Sequence, residues 1–124
     1  MDKFRKSTKF LDRSLKVIPL ASQTFSKSLT QYPRGVSPFF IEKGKGSKVW
    51  DIDGNKYIDM CQMGIGTAIL GYCNDNVDNA VIKGIKDGVN TTLNCPEEVE
   101  LAEKLITLNP FAGGVRFARC GAEA

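Results

Sequence analysis

The 124-residue chain is 42% hydrophobic and 25% charged with a net charge of +3, an ordinary soluble composition that excludes disorder throughout. It has no histidine, which removes Ser-His-Asp triads, Cys-His dyads and the common zinc-hydrolase sites, and Cys61, Cys73, Cys95 and Cys120 form no CxxC pair to begin a metal site. No apolar run approaches the ~20 residues that span a bilayer, and the start lacks a secretory apolar core, so a cytoplasmic protein without membrane attachment is expected.

The positive charge is concentrated at the start, where Lys3, Arg5, Lys6, Lys9, Arg13 and Lys16 face only Asp2 and Asp12. Too few aromatics interleave these cations for base stacking, and a solvated helix face is preferred to a nucleic-acid surface. Over residues 7–29 the apolar spacing is loosely helical, with Leu11, Leu15 and Ile18 at i, i+4 and i+7 until Pro19 interrupts it. This segment is expected to be an arm rather than a core element. Tyr32-Pro-Arg-Gly-Val-Ser-Pro38 follows as an extended connection, because each proline disfavours helix in the residue before it.

Three short strand-like runs come next, at residues 39–43, 48–51 and 56–59, broken by Gly44-Lys-Gly46 and by Asp53-Gly54. An Asp-Gly pair predicts a tight hairpin, since both central positions tolerate positive φ, and the runs predict a small antiparallel meander. The carboxylates of residues 51–59 do not make a calcium loop: Lys56 and Gln62 stand where an EF-hand needs Gly and Glu. Met63-Gly-Ile-Gly-Thr-Ala-Ile-Leu-Gly71 is a backbone suited to close approach, but it lacks the third glycine of a dinucleotide fingerprint.

Two amphipathic helices are then predicted. The first covers residues 76–88, with Val77, Val81 and Ile85 on one face. The second runs from Pro96 to Leu108, its Glu97, Glu98 and Glu100 suiting the positive end of the helix dipole and its Leu101, Leu105 and Leu108 predicted to face a core. Residues 115–118 read as a buried strand that enters a glycine turn and the start of a further helix at Cys120-Gly-Ala-Glu-Ala124. A strand that stops there lacks its crossover partner, so the chain is expected to be cut short relative to its parent unit.

This order, with Trp50-Asp-Ile-Asp-Gly-Asn-Lys-Tyr-Ile-Asp59 and the terminal Gly-Ala-Glu-Ala, resembles the opening of class III aminotransferases, and in particular the glutamate-1-semialdehyde aminomutase branch, over residues 32–124. The resemblance implies an α/β fold, the N-terminal portion of a fold-type I PLP-dependent transferase: helical arm, antiparallel β-meander, helices and the first strand of the large domain. The implied divisions are residues 1–31 (basic helical arm), 32–74 (meander and glycine-rich loop) and 75–124 (start of the PLP-binding domain). The implied cofactor is pyridoxal 5'-phosphate, its phosphate received by Cys120, Gly121 and Ala122 where the family usually reads Ser-Gly-Thr. Free N–H groups and partial positive charge at a helix start suit that anion, although Ala122 removes a hydroxyl contact.

The resemblance also implies a substrate role for Ser37, in a connection that keeps Gly35, Val36 and Pro38 but carries Phe40 where the branch has an arginine. Arg34 stands on the other side as a substitute, and Met63 lies near the position of the branch's active-site tryptophan. These departures favour general amino-group transfer from a small-molecule donor to a keto or aldehyde acceptor over the aminomutase reaction. Members of the family are homodimers whose Schiff-base lysine and pyridine-binding aspartate lie downstream of the segment matched here, so no catalytic residue is assigned within 1–124 and the isolated chain is expected to be inactive. Two alternatives are a non-catalytic dimerisation or interaction module derived from the family, and an unrelated phosphate or nucleotide binder using the terminal glycine turn.

Overall fold

The computed structural model describes residues 3–67 and 69–124; Asp2 of the basic start and Ala68 of the glycine-rich run, with Met1, lie outside the described residues. The chain divides into two compact units, Met1–Val81 and Ile82–Ala124. The first holds the expected meander: β1 (Ile41–Lys45), β2 (Lys48–Asp51) and β3 (Lys56–Ile58), antiparallel in the order β1-β2-β3. Lys43, Trp50 and Lys56 stand opposite one another, as do Gly44, Val49 and Tyr57, and the register shifts between Ile41 and Lys43.

Opposed residues share a face and successive residues alternate, so the two sides of this sheet differ sharply. One side carries Val49, 5% exposed, and Asp51, fully buried, with Tyr57 beside them. The other carries lysines, and its Trp50 ring has the ammonium groups of Lys43 and Lys56 at 5.3 and 5.6 Å. A single apolar side is what an antiparallel sheet needs when only one of its faces is covered.

The β2–β3 connection differs from the tight two-residue turn predicted for Asp53-Gly54. Four residues, 52–55, join the strands, and of the central pair only Gly54 has positive φ, at +88°. The turn is filled from inside by the Asp51 carboxylate. It accepts the N–H groups of Asp53 (3.0 Å) and Asn55 (2.8 Å), the Asn55 side-chain amide (2.9 Å) and the Tyr57 hydroxyl (2.9 Å). A buried carboxylate is tolerated only when its lone pairs are matched in this way. Burial, together with the Asp51 carboxylate, pushes the Tyr57 phenol up to about 12.

The arm contributes to the core, contrary to expectation. Helix α1 (Arg5–Ser14) buries Ser7 and Leu11, and Phe4 just before it is 5% exposed; with Ala21 and Val49 these residues form the interior of the first unit. The buried stripe is therefore 4, 7, 11 rather than 11, 15, 18, and Leu15 is exposed. The physical reason lies in the hairpin. Phe4 provides no side-chain cap, and the Asp53 carboxylate instead accepts the N–H groups of Lys6 (2.6 Å) and Ser7 (2.9 Å), which turns the 4, 7, 11 face inward. Short 3₁₀ turns at Pro19–Ala21 and Phe25–Lys27 replace helix beyond Pro19.

Helix α2 (Asp75–Asp87) begins at Asn74, whose side-chain oxygen accepts the N–H groups of Asn76 (3.1 Å) and Val77 (3.3 Å), and it stops at Gly88 with φ +105°. Helix α3 (Pro96–Leu108) has the predicted bounds, with Pro96 in its first turn and Glu97 and Glu98 at its positive end. Neither helix buries a residue. The α3 stripe predicted to face a core stays largely open, with Leu101 50% and Leu108 66% exposed, and Val81 on the apolar face of α2 is 54% exposed. Residues 115–118 run without a ladder partner among the described residues and form no strand, because strand hydrogen bonds require a neighbour to receive them.

Candidate cofactor and substrate site

The glycine-rich run returns to the meander and is locked there. Gly46 and Tyr72 exchange backbone hydrogen bonds of 2.8 and 2.9 Å, and the Tyr72 ring lies against Gly44, where a Cβ would meet a ring carbon at 2.5 Å. Gly71 has φ +80°, and a Cβ there would meet the Gly46 carbonyl oxygen at 2.8 Å, so no other residue fits. Beneath the loop, Asp59 accepts the Tyr72 hydroxyl at 2.7 Å and the N–H groups of Cys61 (2.8 Å) and Met63 (3.2 Å). The Tyr72 hydroxyl, aided by those N–H groups and opposed by partial burial, holds the Asp59 carboxyl below the usual carboxylate value. In return Asp59, with burial, pushes the Tyr72 phenol up to about 12.

Met63 sits in this loop at φ +59°, a left-handed conformation uncommon for a side-chain-bearing residue. It borders a hollow of about 360 Å³ lined also by Ser47, Asp59, Met60, Leu70 and Tyr72. Asp59 and Tyr72 were not singled out as site residues from the sequence. Their partnership spans 13 positions and follows no helix or strand period, and the only local trace is an aromatic residue directly after the glycine run.

Ser37 and Arg34 lie elsewhere in the first unit. The Ser37 hydroxyl donates to the Pro33 carbonyl at 3.2 Å, and Arg34 pairs with Asp12 of α1. Both border a narrow recess with Phe4, Ser7 and Leu11, so the structure groups these two with the arm and not with Met63.

Cys120, Gly121 and Ala122 belong to the second unit. The Cys120 carbonyl accepts the N–H groups of Glu123 (3.0 Å) and Ala124 (3.3 Å), which makes one helical turn. The Glu123 carboxylate reaches back to the N–H (3.0 Å) and guanidinium (2.8 Å) of Arg119. Among the described residues the N–H groups of Gly121 and Ala122 donate to nothing, and nothing lies within 4 Å of where a Gly121 Cβ would stand. Two unspent donors on an open glycine turn fit the phosphate end of PLP. The larger groove of this unit, about 760 Å³, combines the apolar Val99, Leu101, Ile106, Val115 and Phe117 with the charged Glu97, Glu98, Glu103 and Arg116.

A capped helix, a three-strand meander, a glycine loop locked back onto it, two further helices and a terminal glycine turn make up the N-terminal portion of an α/β, fold-type I transferase. An omega-transaminase from Sphaerobacter thermophilus matches it with a TM-score of 0.83 at 25% identity, over 100% of this chain and 28% of that one. A transaminase solved with PLP bound matches with a TM-score of 0.83 at 28% identity, over 96% of this chain and 27% of its own. The sequence profile of aminotransferase class-III matches residues 31–124, and the chain belongs to that family. Glutamate-1-semialdehyde 2,1-aminomutase of Methanosphaera stadtmanae is 34% identical over 113 residues, 84% of this chain and 26% of that enzyme. The chain thus spans about a quarter of the length of the curated relatives it matches.

Proposed function

We propose that this chain serves as the amino-terminal part of a PLP-dependent aminotransferase, moving an amino group from a small-molecule donor to a keto or aldehyde acceptor. The observation that carries this reading is the open turn at Cys120, whose Gly121 and Ala122 N–H groups are uncommitted within a segment matched to the family. Those two N–H groups bind the phosphate, and Cys120 closes the turn behind them. PLP, when bound, supplies the electron sink for amino transfer. Met63, held by Asp59, borders the substrate side, while Ser37 and Arg34 take part only if Arg34 leaves Asp12. The working assembly is a cytoplasmic homodimer that engages neither nucleic acid nor membrane; among the described residues no helix is long and apolar enough to cross a bilayer. A cofactor-free interaction module is the second reading, favoured by the uncovered apolar faces of α2 and α3.

The deciding experiment is to sequence the coding DNA beyond Ala124 and to titrate the encoded product with PLP. The aminotransferase reading expects a downstream aspartate and lysine in family context and a borohydride-reducible, lysine-linked chromophore. A stop codon with no chromophore leaves the interaction module.

A further inference from the structure

We propose that the β2–β3 turn is a latch for the amino-terminal helix: Asp53 caps α1 across 47 positions of sequence, and its hold decides whether the Phe4, Ser7, Leu11 face stays buried. Helix α1 is poorly equipped to stand alone. Its 10 residues fall below the ~12–15 that an isolated helix needs in water. It has no local side-chain cap and no acidic residue in its first turn, where Arg5 and Lys6 put two cations against the positive end of the dipole.

Asp53 corrects both defects together. Its two oxygens take the N–H groups of the second and third helical residues, which a local cap would serve, and its charge offsets the dipole. Asn55 adds a bond from its amide to the Lys3 carbonyl at 3.0 Å, and the Lys3 ammonium lies over the rings of Phe4 (5.2 Å) and Tyr57 (5.5 Å). Farther along α1 the Phe10 ring lies 5.9 Å from that of Phe40, the Ser14 hydroxyl donates to the Ala21 carbonyl at 3.4 Å, and Arg34 pairs with Asp12 in an exposed ion pair of little energetic weight. Division of labour in the turn makes this possible: Asp51 fills it from inside, so the Asp53 side chain is free to face outward. Burial works against ionisation of Asp53, but the facing Ser7 hydroxyl and the N–H groups of Ser7 and Lys6 outweigh it and hold its carboxyl below the usual value. The latch therefore carries its charge at neutral pH.

Hydrogen exchange on the full chain, with limited tryptic cleavage at Lys9 and Arg13, tests the latch in wild type, Asp53→Ala, Asp53→Asn and a surface control, Asp12→Asn. The expected result is roughly ten-fold faster exchange of the α1 amides in Asp53→Ala. A smaller increase is expected in Asp53→Asn, faster cleavage in both, and wild-type behaviour in Asp12→Asn, with the amides paired between β2 and β3 keeping their protection. Unchanged α1 exchange in both Asp53 variants overturns the proposal. So does equal loss of protection in the β2–β3 amides of both, which would make Asp53 a requirement of the hairpin instead of a latch on the arm.

Discussion

Tyr72 ties the glycine loop to the sheet through its hydroxyl, its backbone and the flat of its ring, and the hydroxyl and the ring each make a separate expectation. The hydroxyl donates to Asp59 as that of Tyr57 donates to Asp51, and both phenols ionise near pH 12 against an ordinary value of 10.0. Because the folded value is raised, the stability these bonds contribute is complete below pH 10 and is lost as pH rises towards 12. Tyrosinate absorbance followed alongside circular dichroism is expected to show Tyr57 and Tyr72 ionising with or after loss of structure; their ionisation near pH 10 in a still-folded chain contradicts it. The ring makes Gly44 irreplaceable in the sheet. Gly44→Ala sets a methyl group 2.9 Å from the Tyr72 Cβ and closer still to the ring, and is expected to cost about 1–3 kcal/mol in a urea melt.

At the level of elements, burial separates substitutions that look alike in sequence. Leu11 in α1 is 2% exposed and Leu101 in α3 is 50% exposed, though both sit at apolar positions of amphipathic helices. Leu11→Ala is expected to cost about 2–5 kcal/mol, whereas Leu101→Gln stays within about 0.5 kcal/mol in this chain. Equal losses in thermal denaturation would mean that α3 is packed after all. The same contrast shows what the residues disclosed. Helix α3 was legible to the residue, because Pro96 and the acidic first turn are local signals that act within one turn. β2 was equally plain, flanked by glycines and a turn. Helix α1 was misread because its cap is Asp53, and no window of local sequence contains both. The strand expected at residues 115–118 had a strand's composition but no neighbour to pair with.

For the whole chain, a backbone turn such as that at Gly121 and Ala122 announces itself in local sequence through its glycine, whereas the Asp59–Tyr72 pair joins side chains 13 positions apart and leaves no local pattern. Ser37 and Arg34, grouped with Met63 by resemblance, prove to border the arm. The second unit leaves large apolar side chains open to water. Among its side chains Leu108 is 66%, Phe111 90% and Phe117 47% exposed. Large apolar side chains left this open to water favour association with other apolar surfaces. The chain is therefore expected to bind a dye such as ANS and to self-associate as concentration rises, through α3 and residues 111–117. Leu108→Gln with Phe111→Ser is expected to lower both signals without lowering the melting temperature, since neither side chain is buried. Dye binding that survives these changes and disappears on tightening of the first unit would place the open surface at the arm, and would trace the self-association to an unlatched α1.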